Sequence, residues 1–157
     1  MRIILEMCDE KRVIAIDVSG STGGCAFYFD RVARILEDFY RAGDEIILWA
    51  HTAEYSTKKK TDAIVRGRKG SGGTSPGSVV SLLRKTHVEH LVLVTDGCVS
   101  ASSVEECDAA IRERGLSFGR VSAFIIGRPE HANLSITCPF TRACPFSVRS
   151  EEHTSEL

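Results

Sequence analysis

Residues 12–24, RVIAIDVSGSTGG, decide the fold of this chain. The run 12–16 is short and rich in β-branched residues, and it passes directly into the polar, glycine-containing loop 17–24. A buried parallel strand has this composition, because both of its faces are covered by other elements. The stretch therefore predicts the first strand of an α/β sheet, with a polar loop at its carboxyl end.

The same alternation of strand-like and helix-like runs continues along the chain. The pattern predicts buried strands at 12–16, 45–50, 91–95 and 121–126, and helices at 27–41, 76–85 and 102–114. Weaker patterns are compatible with an edge strand within 51–57, a helical turn at 61–65 and a last strand at 134–137. Such alternation predicts a doubly wound, mostly parallel α/β sheet with helices on both faces.

Length and composition limit the chain to one domain of ordinary character. With 157 residues, 43% of them hydrophobic, there is enough apolar side chain for one core. The formal net charge of -1 gives no general reason to expect nucleic acid or a membrane surface as partner. No apolar run approaches the ~20 residues of a membrane span, and the first residues lack the pattern of a signal peptide. We therefore expect an intracellular, cytoplasmic protein whose six cysteines are reduced thiols.

The two ends of the domain need separate treatment. We expect a core at 12–127, and the segment 128–148 reads as irregular or incomplete. Residues 149–157, RSEEHTSEL, match the in-frame translation of a common sequencing adapter at every codon. We therefore expect the domain to occupy residues 1–148 and the last nine residues to be a non-native tail.

Polar side chains follow the first and third predicted strands and occur in one glycine-rich loop between them. They provide two carboxylates and three hydroxyls, from Asp17, Ser19, Ser21, Thr74 and Asp96. In an open α/β sheet, ligands collect outside the carboxyl ends of the strands, so these groups are expected to converge. Carboxylate and hydroxyl oxygens suit Mg²⁺, with Mn²⁺ or Ca²⁺ as possible substitutes, better than zinc or copper. The sequence therefore predicts one site for a hard divalent cation.

These five residues resemble the metal-ion-dependent adhesion site (MIDAS) of von Willebrand factor A (vWA) domains. The family pattern is Asp-x-Ser-x-Ser, then a distant Thr, then a distant Asp, and every position is filled here in that order. The resemblance implies a Rossmann-like fold and a cation that binds an Asp or Glu of a partner protein. Its glycine-rich approach to Thr74 is similar to that of intracellular members. A full vWA domain usually carries one more strand and helix than this pattern shows, which implies a C-terminally truncated domain.

The function implied is a cation-dependent protein interaction module rather than an enzyme. An alternative is a vWA subunit or domain of a larger ATPase, ligase or RNA-associated complex. A basic segment could contact phosphate or an acidic partner, and it contains Lys58, Lys59, Lys60, Arg66, Arg68 and Lys69. Only Tyr55 lies near for base stacking, so a solvated loop explains the segment more simply than a nucleic-acid site.

Short motifs in the chain suggest three other chemical roles, and each motif lacks a feature that its role requires. Residues 73–77, GTSPG, match the Gly-x-Ser-x-Gly nucleophile elbow, but a polar loop precedes them instead of a strand. Asp17 lacks the second Asp two positions later that aspartyl-phosphate enzymes usually have, because Ser19 stands there. Cys138 and Cys144 supply only half of a zinc site. We therefore expect no enzymatic activity.

Overall fold

The strands form one sheet in the order β3-β2-β1-β4-β5-β6. The computed structural model describes residues 10–25, 27–127, 130, 132–144 and, for the backbone, 149–154. The strands are β1 (Arg12–Asp17), β2 (Glu45–Trp49), β3 (Ala53–Ser56), β4 (His87–Thr95), β5 (Ser117–Ile126) and β6 (Arg149–Thr154). All neighbouring pairs are parallel except β2 and β3. The antiparallel β3 therefore forms one edge of an otherwise parallel sheet.

Helices cover both faces of this sheet. They are α1 (Gly20–Gly23), α2 (Tyr28–Phe39), α3 (Lys58–Gly67), α4 (Gly77–Leu82), α5 (Ala101–Arg114) and α6 (Cys138–Arg142). Helices α2 and α3 pack on one face, and α4, α5 and α6 pack on the other. This arrangement confirms the predicted doubly wound, mostly parallel α/β fold.

Strand β1 shows why its sequence reads as an unbroken apolar run. Val13 and Ala15 belong to the core on the face covered by α4 and α5, whereas Ile14 and Ile16 belong to the opposite core. Because successive side chains of a strand point to opposite faces, a central strand needs an apolar residue at every position. Strand β1 is central, and its last residue, Asp17, lies beside Trp49 of β2.

Helices α3 and α4 differ in length from the predicted ones. Helix α3 is a full helix of 10 residues where only a helical turn was expected, and the Thr57 side chain caps it by accepting from the Lys60 N–H. Helix α4 begins at Gly77 and ends at Leu82, shorter than the predicted helix at 76–85, and no side chain caps its start. The end of α5 at Gly115, with a positive φ of 63°, is as predicted.

The predicted strand at 134–137 was wrong. Leu134–Thr137 is a 3₁₀ helix that leads directly into α6. The side chain of Asn133 accepts a hydrogen bond from the Ser135 N–H, which favours a turn over an extended backbone. Ile136 and Phe140 are fully buried on this segment, and Phe140 packs edge to face on Phe118 of β5. Residues 132–144 thus complete one core, where the sequence indicated only irregular chain.

Strand β6 lies within the segment that the sequence analysis assigned to a non-native tail. Its backbone pairs in parallel with β5, from Arg149 opposite Val121 to Thr154 opposite Ile126. An exposed strand edge offers unpaired N–H and C=O groups to any extended segment, whatever its side chains. The pairing therefore leaves the prediction about the origin of the tail as it stands. No helix in the described ranges is both long and apolar enough to cross a bilayer.

A buried histidine on β4 gives the fold a pH dependence. His90 is only 4% exposed, and its Nε2 lies 2.8 Å from Ser122 Oγ. Burial, reinforced by the charges of Arg120, Arg12 and Arg41, lowers the pKa of His90 from 6.5 to about 4. The unfolded chain therefore takes up a proton on this imidazole at a pH where the folded protein does not.

We expect the free energy of unfolding to fall by about 2 kcal/mol between about pH 7.5 and 5 through His90 alone. The sign follows from the lowered pKa: stability is lost as pH falls below 6.5, because protons then favour the unfolded state. Urea unfolding at several pH values, with chelator present, measures the slope. His90→Gln should remove this contribution, and His87→Gln, at an exposed site, should keep it. An unchanged slope in His90→Gln would assign it to other groups.

Candidate metal site

Asp17 is held at the end of β1 by two hydrogen bonds from its own neighbourhood. Its side chain is fully buried. The Ser19 N–H donates to Oδ1 at 2.8 Å, and the Thr95 hydroxyl donates to Oδ2 at 2.6 Å. Thr95 ends the adjacent strand β4, so the pairing of β1 with β4 brings it to this carboxylate. Thr95 was not among the predicted site residues, because its only signal in the sequence is its place directly before Asp96.

The loop after Asp17 turns back at once into α1. Ser19 is buried and Ser21 is half-buried, and their hydroxyl oxygens lie 3.3 Å apart. Tyr28, at the start of α2, is fully buried and donates its hydroxyl to the Asp17 carbonyl at 2.6 Å. Tyr28 therefore ties α2 to the loop, a role that the sequence did not reveal because an aromatic residue in a helix first suggests packing.

Asp96 approaches the same point from the end of β4. It is 7% exposed, and its Oδ1 accepts a hydrogen bond from the Cys98 N–H at 3.0 Å. The next residue, Gly97, has a φ of +76°, a conformation that favours glycine and turns the chain sharply after the carboxylate. The loop after β4 therefore fixes the direction of the Asp96 side chain.

The two carboxylates act on each other electrostatically. Burial raises the pKa of Asp17 from 3.8 to about 6, the hydrogen bonds from Ser19 and Thr95 oppose this rise, and the charge of Asp96 adds to it. No lysine or arginine contacts the Asp17 carboxylate among the residues that the structure describes. A buried charge without a cationic partner is costly, so this position favours a bound cation.

Thr74 lies in a loop that backbone hydrogen bonds hold on both sides. On one side, the Gly20 N–H donates to the Gly72 carbonyl at 2.9 Å. On the other side, the Ser75 N–H donates to the Ala50 carbonyl at 2.8 Å. Thr74 itself is half-buried. These bonds hold Thr74 between the Asp17 loop and the end of β2.

Gly70 allows the loop before Thr74 to pack closely against residues 19–23. A Cβ atom on Gly70 would lie 2.2 Å from the Ser19 carbonyl oxygen, 2.4 Å from the Thr22 hydroxyl and 2.7 Å from the Gly23 nitrogen. Only glycine leaves room for this approach. Within the glycine-rich sequence that precedes Thr74, the glycine at position 70 is therefore a packing requirement.

The structure thus joins Asp17, Ser19 and Ser21 by short contacts and Asp96 by its charge, and the backbone bonds of the loop place Thr74. Two carboxylates and three hydroxyls fit a hard cation such as Mg²⁺, Mn²⁺ or Ca²⁺. Across the described residues, no three His, Cys, Asp or Glu side chains form a group that could hold a metal. The donors of the candidate site are mostly hydroxyls, which a grouping of those four residue types does not include.

The predicted basic segment lies on α3 and the turn after it, and ion pairs take up part of its charge. Lys58 pairs with Asp62 at 2.7 Å, Lys60 with Glu54 at 3.6 Å and Arg68 with Asp30 at 2.5 Å. The remaining members are all exposed, namely Lys59, Arg66 and Lys69. These pairs leave fewer free positive charges for a phosphate than the sequence alone indicated.

Known proteins similar to this chain support its fold alone. No protein-family model matches the chain, and no curated protein sequence matches it. The chain is similar in structure to BatB from Bacteroides thetaiotaomicron, with 15% identity, 92% of this chain and 91% of that chain covered, and a TM-score of 0.58. It is also similar to the PilB minor pilin of Streptococcus sanguinis, with 12% identity, coverage of 94% and 57%, and a TM-score of 0.56.

A third similar structure is the manganese-loaded TRAP protein of Plasmodium vivax. The identity is 13%, 92% of this chain and 68% of that chain are covered, and the TM-score is 0.54. At such identities the similarity shows the fold, which is an α/β fold of the vWA, Rossmann-like type.

Proposed function

We propose that this domain is a protein interaction module that binds a carboxylate of its partner through a divalent cation. The observation that carries the proposal is the buried Asp17 carboxylate, which faces the charge of Asp96 and the hydrogen-bond donors of Ser19 and Thr95 without a cationic side chain. Such a donor set is unfavourable on its own and favourable around a hard cation. The family pattern of the sequence and the vWA-type fold support the same proposal.

The donors would leave the cation electrophilic. Ser19, Ser21 and Thr74 are neutral oxygen donors, so Asp17 and Asp96 would be the only anionic groups that this set brings to the cation. Mg²⁺ held there would supply an electrophilic centre that can accept one more oxygen ligand. Ser21 and Thr74 are half-buried rather than buried, so the site opens to solvent on their side. An Asp or Glu side chain of a partner is the ligand that this opening favours.

The other parts of the proposal follow from the site and the sequence. We propose a binding role without catalysis, because the candidate residues form no nucleophile and base pair. We also propose an intracellular location, on the composition and cysteine content of the chain. A domain that serves a larger ATPase, ligase or RNA-associated complex would use the same cation site and would differ only in its partner.

Thr74→Ala tests the cation site directly. We expect roughly a tenfold loss of Mg²⁺ or Mn²⁺ affinity, which corresponds to about 1.4 kcal/mol, because one oxygen donor is removed. The measurement is isothermal titration calorimetry with Mg²⁺, supported by Mn²⁺ electron paramagnetic resonance. Ser71→Ala is the matched control, since it removes an exposed hydroxyl from the same loop and should bind normally.

The partner step has its own test. Captured proteins should be released by chelator and should not bind to Asp17→Ala or Thr74→Ala. Capture that persists unchanged under all three conditions would contradict a metal-bridged mechanism. Equal Mg²⁺ affinity in Thr74→Ala and Ser71→Ala would remove Thr74 from the site.

A further inference from the structure

A groove of about 490 Å³ adjoins the candidate metal site. Three segments line it: the turn between β2 and β3, the start and exposed side of α4, and the middle of α5. The turn contributes His51, the α4 segment contributes Ser75, Ser78 and Ser81, and α5 contributes Glu106. None of these side chains has a part in the cation site described above.

The groove begins beside the loop that carries Thr74. Ser75 lines the groove and directly follows Thr74 in the chain. Gly73, on the other side of Thr74, lies against His51, since a Cβ atom on Gly73 would be 3.8 Å from that of His51. A partner segment whose carboxylate reaches the cation would therefore meet this groove with its next residues.

The hydroxyls of the groove present acceptors to a ligand. The Ser78 hydroxyl donates to the Ser75 carbonyl at 2.6 Å, and the Ser81 hydroxyl donates to the Gly77 carbonyl at 3.2 Å. A hydroxyl has one proton and two lone pairs, so each oxygen remains able to accept a hydrogen bond. Groups with N–H donors suit this surface.

Glu106 gives the groove one negative charge that no neighbour offsets. It is exposed, and none of the ion pairs of the described residues includes it. Asp108, two residues further along α5, differs in that it pairs with both Arg112 and Arg142. No lysine or arginine is among the described residues that line the groove.

We propose that this groove binds the partner segment adjoining the metal-bound carboxylate, and that Glu106 pairs there with a lysine or arginine. The inference rests on the proposed function and adds the class of partner: an extended segment that carries an acidic residue and, beyond it, a basic one. Between the two, small or apolar residues suit the half-buried Ala53, Leu82 and Ala110 of the lining. Electrostatic complementarity of this kind sets specificity more than affinity.

Selection from a library of random twelve-residue peptides displayed on phage tests this proposal. The domain is immobilised in Mg²⁺, bound phage are eluted with acid, and the enriched peptides are synthesised so that their binding can be measured with Mg²⁺ and with chelator. We expect each to contain an acidic residue and, at a repeated distance from it, a lysine or arginine. Glu106→Lys should weaken the binding of such a peptide roughly tenfold, because attraction becomes repulsion. Glu105→Lys makes the same charge change on a neighbouring exposed residue outside the groove and should bind as the original protein does.

The outcomes separate the two proposals. If enriched peptides need Mg²⁺ and an acidic residue but show no basic preference, or if Glu106→Lys and Glu105→Lys behave alike, the groove proposal is wrong and the cation site stands. If peptides bind equally with chelator, or if none is enriched, the proposed function fails and the groove proposal fails with it. A double-mutant cycle that combines Glu106→Lys with the replacement of the basic peptide residue by alanine should show coupling.

Discussion

Asp17→Asn is expected to raise the free energy of unfolding of the metal-free protein by about 3 kcal/mol near pH 7. The pKa of the buried carboxyl is raised from 3.8 to about 6, so the folded protein holds the proton more tightly than the unfolded chain does. This group therefore contributes most stability at low pH, and that contribution is lost as pH rises through 6. Asparagine has nearly the same shape without the charge, and its NH₂ group would donate to the Thr95 hydroxyl oxygen where the carboxylate accepts from it. The same change should lower Mg²⁺ affinity roughly a hundredfold, or about 2.7 kcal/mol, because an anionic ligand is removed.

Thermal and urea unfolding with chelator and with Mg²⁺ give both quantities. The original protein should gain stability from Mg²⁺, and Asp17→Asn should not. Asp38→Asn is the control, since it makes the same substitution at an exposed aspartate of α2 and should change neither quantity. A metal-free Asp17→Asn protein less stable than the original would show that the buried charge is compensated within the fold.

Gly70→Ala is expected to cost about 2 to 4 kcal/mol of stability and most of the Mg²⁺ affinity. The new methyl group would meet the Ser19 carbonyl at 2.2 Å and the Gly23 nitrogen at 2.7 Å, and neither backbone atom can move alone. The loop has to withdraw, which breaks the bonds from Ser71 N–H to the Val18 carbonyl and from Gly20 N–H to the Gly72 carbonyl. Thr74 then leaves the position that these bonds set.

Gly67→Ala is the matched control for this variant. Gly67 is the last residue of α3, and a Cβ atom there would meet nothing within 4 Å. Alanine favours helix over glycine by up to about 1 kcal/mol, so this variant should be as stable as the original or slightly more. Unfolding and Mg²⁺ titration of both variants provide the comparison. If Gly70→Ala and Gly67→Ala behaved alike, the close approach of the loop would not matter to the site.

The sheet could be predicted from sequence because burial on both faces demands apolar residues at every position of a central strand. Unbroken apolar runs of this kind lie within β1, β2, β4 and β5, at 13–16, 46–49, 91–94 and 123–126. Helix α3 was underestimated because its first turn contains three lysines, which hide the spacing of the two buried residues, Thr61 and Val65. The segment Leu134–Thr137 was misread since a few apolar residues fit a strand and a 3₁₀ turn equally well.

The candidate ligand set could be proposed from the sequence because its pattern is local, with Asp17, Ser19 and Ser21 in one loop and Asp96 directly after a strand. The residues that hold this set in place could not be predicted. Thr95 reaches Asp17, and Tyr28 reaches the Asp17 carbonyl, only through the pairing of β1 with β4 and the packing of α2. Contacts between residues far apart in the chain leave no spacing that a single sequence reveals.

The position of Trp49 gives the chain an optical probe of its own. It is the only tryptophan among the 157 residues, it is fully buried, and it ends β2 beside Asp17. Its carbonyl accepts a hydrogen bond at 2.8 Å from the N–H of Val18, which lies between Asp17 and Ser19. An indole in this place lies in the apolar core on the strand beside Asp17, so its fluorescence should change when the charge or surroundings of that carboxylate change. Binding of the proposed cation should therefore be observable in real time without any attached label.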